Sequence, residues 1–302
     1  MGPPARRLAG AAAGIALDRV FGEPPSWVPH PVALLGRVLA TLERHTYADD
    51  RRAGVVHAAL GITVGAASGA ALRSTTAATA ICVAGRMLGD TALVVAAHLD
   101  AGDIDGARAA LPSLVGRDPS TLGASAIARA VVESVAENTV DAVVAPALWG
   151  AALGAPGAAA HKAVSTLDSM VGHRSPRYLR FGWASARLDD AVAWVPARTT
   201  ALLVAAVRPR CARAVITAVR RDAPAHPSPN AGVAEAAFAA ALGLRLGGEA
   251  RYGARVEHRP PLGDGRPPAV ADIAAAVRLS ADVSWALAAT LGAIAAMLVH
   301  DR

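Results

Sequence analysis

AGVVHAALGITVGAASGAAL, residues 53–72, carries no formal charge over the roughly 20 residues that a helix needs to cross a bilayer. Backbone groups inside a bilayer must be satisfied within the segment, so such a run is helical. The chain around it has the same character. Of 302 residues 53% are hydrophobic and only 18% charged, with mean hydropathy +0.36; a soluble domain carries about 25% charged residues. No Ser/Gly-rich or charged linker divides the sequence, so residues 1–302 read as one membrane domain. The formal charge of +6 and pI near 10.3 call for anionic partners. Basic residues cluster between apolar runs, and zinc-finger spacings and arginine-rich tails are absent from the sequence. The expected partners are therefore membrane lipids and small phosphates, not nucleic acid. Cys82 and Cys211, far apart in apolar or Arg-flanked contexts, read as small core residues.

Taken in order, the chain begins with a stretch that superficially resembles a signal peptide, but Asp18 and Arg19 interrupt its apolar run, and it is expected to remain in the mature protein. A short helix over 8–20 ends at Gly22 and the Pro24-Pro25 pair. A stiff loop then offers Trp27 and His30 to a membrane interface or a ligand, and an amphipathic helix spans Val32–Glu43. Thr75–Leu99 is a further span candidate, with Arg86 and Asp90 one turn apart. In the turn after residue 114, Asp118, Ser120 or Thr121 can cap the next helix. The apolar run Val140–Ala160 is broken by Pro146, Gly150, Gly154, Pro156 and Gly157, the mark of a kinked or re-entrant element. Ala191–Val207 contains Pro196 and Arg198 and leads into a basic stretch. A helix follows over Ala234–Leu246, near Asn230 and Glu235, then a polar loop over Arg251–Pro268, a short helix over Val270–Leu279 and a last span over Ala281–Val299. Basic residues flank the two broken runs at both ends, so simple alternation fails; one or both do not cross, and the polar regions share the cytoplasmic side. The fold class is all-α: a polytopic helical membrane protein with kinked or re-entrant helices around a polar, cytoplasm-facing site.

The polar residues concentrate between Arg129 and Asp190. Glu133, Glu137 and Asp141 recur at i, i+4 and i+8, on one face of a helix, with Asn138 on the same turn. Lys162, Asp168, Arg174, Arg177, Arg187, Asp189 and Asp190 follow, alternating carboxylates with cations as a site for charged ligands would. A solvated helix face also explains the acidic row, and capping of a helix at Ala191 also explains Asp189-Asp190. Tyr178, Phe181 and Trp183 fit an interfacial belt as well as a stacking platform. No Walker loop is present, and no GxGxxG precedes a convincing helix.

VGRD at 115–118, RAVVESVAENTVDAVVAP at 129–146, KAVSTLDSMVGH at 162–173, RYLRFGWASARLDD at 177–190 and SPNAGVAEAAFAAALGLRLGG at 228–248 closely resemble the CobD/CbiB family. The opening LDRVFGEPPSWVPHPVALLGR resembles its N-terminal signature, and the segments follow in family order. His161 and His173 stand where tyrosine is common in that family, and Ser165 where asparagine is. The resemblance implies a cell-membrane enzyme of cobalamin biosynthesis, a carbon–nitrogen ligase. It would join adenosylcobyric acid to (R)-1-aminopropan-2-ol O-phosphate, or aminopropanol, with ATP and Mg²⁺, giving adenosylcobinamide phosphate. Such chemistry needs carboxylates for Mg²⁺, a base for the amine and cations for phosphate. On that implication Glu133, Glu137 and Asp141 hold Mg²⁺ and, with Lys162 and Asp168, form the catalytic set. Arg117, Asp118, Arg129, Asn138, Arg174, Arg187, Asp189 and Asn230 bind substrate or phosphate. Late-pathway cobalamin enzymes or a second copy of the chain are the expected macromolecular partners. The alternative is a non-catalytic membrane sensor or an ion-coupled transporter using Arg86, Asp90 and the Glu133 face as an intramembrane path.

Overall fold

The computed structural model describes residues 1–23, 30–252 and 255–300. Trp27 and the Pro24-Pro25 pair lie outside the described residues. In chain order the elements are α1 (Pro3–Phe21), α2 (Pro31–Thr46), α3 (Arg51–Leu72), α4 (Thr75–Cys82), α5 (Gly85–Asp100), α6 (Ile104–Ala110), α7 (Ala124–Thr139), α8 (Ala145–Leu153), α9 (Ala155–Val171), α10 (Trp183–Val192), α11 (Trp194–Val207), α12 (Ala212–Asp222), α13 (Ala231–Leu242), β1 (Leu246–Tyr252), β2 (Arg255–Leu262) and α14 (Val270–His300). Among the described residues four stretches are long and apolar enough to cross a membrane: Arg51–Leu72, Thr75–Asp100, Trp183–Val207 and Val270–His300. The protein is a helical membrane protein, as its composition indicates.

Several local expectations change. Thr75–Leu99 is two helices, because Val83 and Ala84 leave the helical path and the Ala84 amide donates instead to the Ala142 carbonyl at 2.9 Å. The two expected C-terminal helices are one, α14, since nothing between Leu279 and Ala281 breaks a helix. Gly123, not Asp118, Ser120 or Thr121, occupies the N-cap of α7, and Asp118 instead accepts the Ser120 amide at 2.9 Å inside the preceding turn. Asp189 and Asp190 sit within α10 and so cap no helix start. The one departure from all-α among the described residues is the antiparallel hairpin β1–β2, where a loop was expected. Its closing pair, Leu246 and Leu262, is buried.

The packing divides the chain into two compact units, each built from segments distant in sequence. Unit 1 comprises Met1–Ala84, Asp141–Pro196 and Leu287–Arg302. Its centre is the contact of α3 with α9, where α3 presents Gly61, Gly65 and Gly69 at i, i+4, i+8. A Cβ at Gly65 would stand 2.6 Å from the Ala163 Cβ and 2.8 Å from the Ala159 carbonyl. Small residues permit this approach where lipid gives helices no hydrophobic reason to associate. Glycine also shapes the broken run 140–160. Gly154, at φ +75, ends α8, and α9 starts at the next residue and folds back on α8, with Gly157 against the Trp149 carbonyl. At 9 residues α8 is too short to cross a bilayer, which fits the re-entrant reading.

Unit 2 comprises Gly85–Val140 and Ala197–Ala286. Here α7 packs on α5 and α13, α13 on α12, and the hairpin on α13. The Thr139 hydroxyl donates to Ser280 Oγ at 2.7 Å, and Ser125 Oγ to the Pro268 carbonyl at 2.7 Å, so both ends of α7 are fastened within the unit.

Gly65→Leu inserts a side chain where no space exists between α3 and α9. It is expected to cost at least the 1–3 kcal/mol or so typical of overpacking, read as a lowered Tm and loss of the monodisperse peak in detergent. A variant as stable as the wild type would contradict the close α3–α9 contact.

Candidate functional site

The α7 row is where sequence and geometry first part. Glu133 and Glu137 are one turn apart on α7, but a π turn over Val140–Val144 follows, so Asp141 is not a third α-helical step. Glu133 and Glu137 belong to unit 2 and Asp141 to unit 1. Glu133 is 2% exposed and both its oxygens are committed. Oε2 accepts from Arg117 Nη2 at 2.6 Å, and Oε1 accepts the Gly247 amide at 2.9 Å. Arg117, itself 7% exposed, comes from the VGRD turn, so one buried carboxylate joins α7, that turn and the hairpin. The Gly247 amide is available because the ladder slips register between Leu246 and Gly248. Such a bulge re-aims the backbone, and Gly247 and Gly248 take it at φ +85 and +94, where other residues are strained.

Beside this joint lies a cleft of about 410 Å³. Arg129, Arg245 and Arg259 line it together with Gly247 and Gly248, and no carboxylate does. Arg129 donates from Nη2 to the Glu249 carbonyl at 2.8 Å, and its Nε, 3.9 Å from Glu133 Oε1, is buried without a hydrogen bond. Arg259 Nη1 is 3.8 Å from Glu235 Oε1 and its Nε 3.9 Å from Glu257 Oε2. Glu235 is fully buried and neither oxygen is hydrogen-bonded. Burial, followed by the Glu133 and Glu137 charges, raises its pKa well above the ordinary value, against the opposing pull of Arg259 and Arg117. The neutral acid is therefore the favoured form. His226 Nε2 lies 3.9 Å from Glu235 Oε1, and the Ser228 amide donates to its Nδ1 at 3.1 Å. Burial lowers the His226 pKa, with the Arg259 charge adding to the effect, so the imidazole is neutral at pH 7. Arg259 thus lies between the Glu257 carboxylate and two groups whose pKa values are shifted toward the neutral form, Glu235 on α13 and His226 in the loop before it. Three guanidiniums and a glycine backbone around one cleft are donors of the kind that pair with phosphate oxygens.

The remaining candidates divide between the units. In unit 2, Asn138 Nδ2 donates back to the Ser134 carbonyl at 2.9 Å, and Ser134 Oγ donates to the Leu114 carbonyl. Asn230 Oδ1 accepts from Arg198 Nη1 at 3.0 Å. In unit 1, Asp168 lies within electrostatic reach of Asp190 and His173, and Asp190 of Arg187 and Arg174, on α9, α10 and the segment between them. Lys162 stands apart from that cluster in an apolar cleft of the same unit. Arg86 and Asp90 are 3.5 Å apart and both exposed. Among the described residues no group of three or more His, Cys, Asp and Glu could hold a metal ion. Arg245, Arg259 and the glycine pair carry no role in the sequence reading; the LRLGG segment signalled Arg245 and the glycines, and no motif signalled Arg259.

Two variants test this arrangement. Glu133→Gln leaves Arg117 buried against a neutral partner and is expected to cost about 3–5 kcal/mol, seen as a lower Tm in detergent. Glu235→Gln should do the opposite, with a pH signature. A carboxyl whose folded pKa is raised contributes fully below its ordinary value of 4.5, and that contribution is lost as pH climbs toward the folded value. The variant should therefore match the wild type near pH 4 and exceed it in Tm at pH 7–8; equal melting at both ends would show that Glu235 is not held neutral.

The CobD/Cbib protein family model matches residues 11–280. The protein named "Cobalamin biosynthesis protein CobD" of Mycobacterium tuberculosis is 49% identical, over 98% of this chain and 97% of its own length. Proteins of the same name from Pelobacter propionicus and Rhodobacter capsulatus are 44% and 40% identical, the first over 84% of each chain and the second over 94% of this chain and 96% of its own. No solved structure matches the chain. With a family match over most of its length and such identity across nearly all of it, this chain belongs to the CobD/CbiB family.

Proposed function

We propose that this protein acts in cobalamin biosynthesis as an ATP-dependent ligase, joining the free carboxylate of adenosylcobyric acid to (R)-1-aminopropan-2-ol O-phosphate to give adenosylcobinamide phosphate. The observation that carries the reading is the cleft of Arg129, Arg245 and Arg259, a receptor for a phosphorylated group in a chain whose relatives are named for this pathway. A carboxylic acid with pKa ~4.3 and an alkylamine with pKa ~10.4 give a salt at neutral pH, not an amide. The carboxylate must first be activated. Transfer of the γ-phosphoryl group of ATP to a carboxylate oxygen releases ADP and leaves an acyl phosphate. The amine nitrogen then attacks the carbonyl carbon, the C–N bond forms, the C–O bond to phosphate breaks and inorganic phosphate departs.

The proposed occupant of the cleft is the phosphate of the amine, which bidentate guanidinium contacts would hold and orient. Attack requires the ammonium to lose a proton first. Glu137, half-buried on α7, is the proposed acceptor, Glu133 having both oxygens committed. Mg²⁺, bound with the nucleotide, supplies charge neutralisation to the phosphates. The basic stretch that follows α11, with Arg208, Arg210, Arg213, Arg220 and Arg221, favours the cytoplasmic side of the cell membrane for that end of the span, where ATP is available.

Purified protein in detergent, supplied with adenosylcobyric acid, aminopropanol phosphate, ATP and Mg²⁺, is expected to form adenosylcobinamide phosphate with one ATP consumed per product. Glu137→Gln should lose turnover while remaining folded. Folded wild-type protein giving neither product nor nucleotide turnover would overturn the proposal in favour of a ligand-sensing role.

A further inference from the structure

Lys162 is the only lysine in the chain. It lines a cleft of about 310 Å³ in unit 1 whose other walls are mainly apolar, including Val32 and Val38 of α2, Val64 and Leu72 of α3 and Ile81 of α4. Among the described residues its ammonium has no hydrogen-bond or ion-pair partner. Two groups that feel its charge, Cys82 and His161, are a thiol and an imidazole. A lone cation on an apolar wall beside a membrane span is costly unless it meets a counter-ion or reaches the interface. The packing tells which end it reaches toward. A Cβ at Gly69 of α3 would meet Ala155 at the start of α9, and one at Gly61 would meet Leu167 further along, so the two helices run antiparallel. Side chains on a helix tilt toward its N-terminus, which carries the Lys162 stem toward the Leu72 end of α3, where the span stops. Leu72 and Pro31, at the start of α2, line the cleft at that end. The neighbouring Leu34, Val38 and Leu72 are exposed, as lipid-facing residues would be.

We propose that this cleft seats one acyl chain of an anionic phospholipid, with the lipid phosphate paired to the Lys162 ammonium. The proposal rests on unit 1 alone and would tie the fold of that unit to the anionic content of the membrane.

The single lysine gives a direct test. The full chain is placed in nanodiscs of phosphatidylcholine alone or with phosphatidylglycerol, and acylation by an amine-reactive ester is followed by peptide mass, the N-terminal amine serving as internal reference. Phosphatidylglycerol should slow Lys162 labelling at least severalfold relative to that reference. In native mass spectra Lys162→Met should lose the retained phosphatidylglycerol and Lys162→Arg should keep it. Equal labelling in both membranes, retention by Lys162→Met, or protection by added palmitate but not by phosphatidylglycerol would each overturn the proposal. Should Lys162→Met fail to fold, the labelling comparison on the wild-type chain decides alone.

Discussion

Unit 2 depends on one buried carboxylate. Glu133 receives the Arg117 guanidinium on one oxygen and the Gly247 amide on the other, and so connects the central helix, the turn before it and the hairpin that arrives more than a hundred residues later. A buried ion pair is a poor source of net stability, because desolvation consumes most of the attraction. Its value here is positional. With both oxygens taken the carboxylate has one satisfied geometry, and that geometry fixes where Gly247 and Gly248 stand, and hence where the hairpin lays its backbone against Arg129.

Charge distribution follows from that placement. Burial on α13, followed by the charges of Glu133 and Glu137, pushes Glu235 toward its neutral form. Arg259, beside Glu235 and Glu257, lines the cleft shared with Arg129 and Arg245. The site is thus prepared for negative charge by holding one nearby carboxyl protonated and another saturated. This is the electrostatic preparation that a phosphorylated substrate requires.

Much of this was legible in the sequence, and the losses have definite causes. Uncharged runs such as 53–72 gave the spans directly, since bilayer thickness sets helix length. The i, i+4 spacing of Glu133 and Glu137 was sound, but periodicity carries no warning of a π turn, so Asp141 was counted as a third step on the same face. Arg117 and Arg129 were singled out, whereas Arg245 and Arg259 were not, because their convergence depends on strand pairing between segments with little apolar alternation. Glu235 drew notice as a polar residue in an apolar helix, yet its protonation state depends on neighbours that only the tertiary fold supplies. Asp168, Arg174, Arg187 and Asp190 lie in a separate unit from Glu133, where Asp190 feels the charges of Arg187 and Arg174 and Asp168 that of Asp190.

The central claim is that Arg129, Arg245 and Arg259 receive the phosphate of the amine substrate. Calorimetric titration of the detergent-solubilised protein with aminopropanol phosphate, and in parallel with aminopropanol, addresses it without requiring turnover. A charge-assisted contact is worth about 1.5–3 kcal/mol, so Arg245→Gln should weaken binding of the phosphorylated amine by about tenfold or more and leave aminopropanol unaffected. Equal affinity for the two amines in the wild type, or an Arg245→Gln variant that binds the phosphorylated one unchanged, would contradict the account.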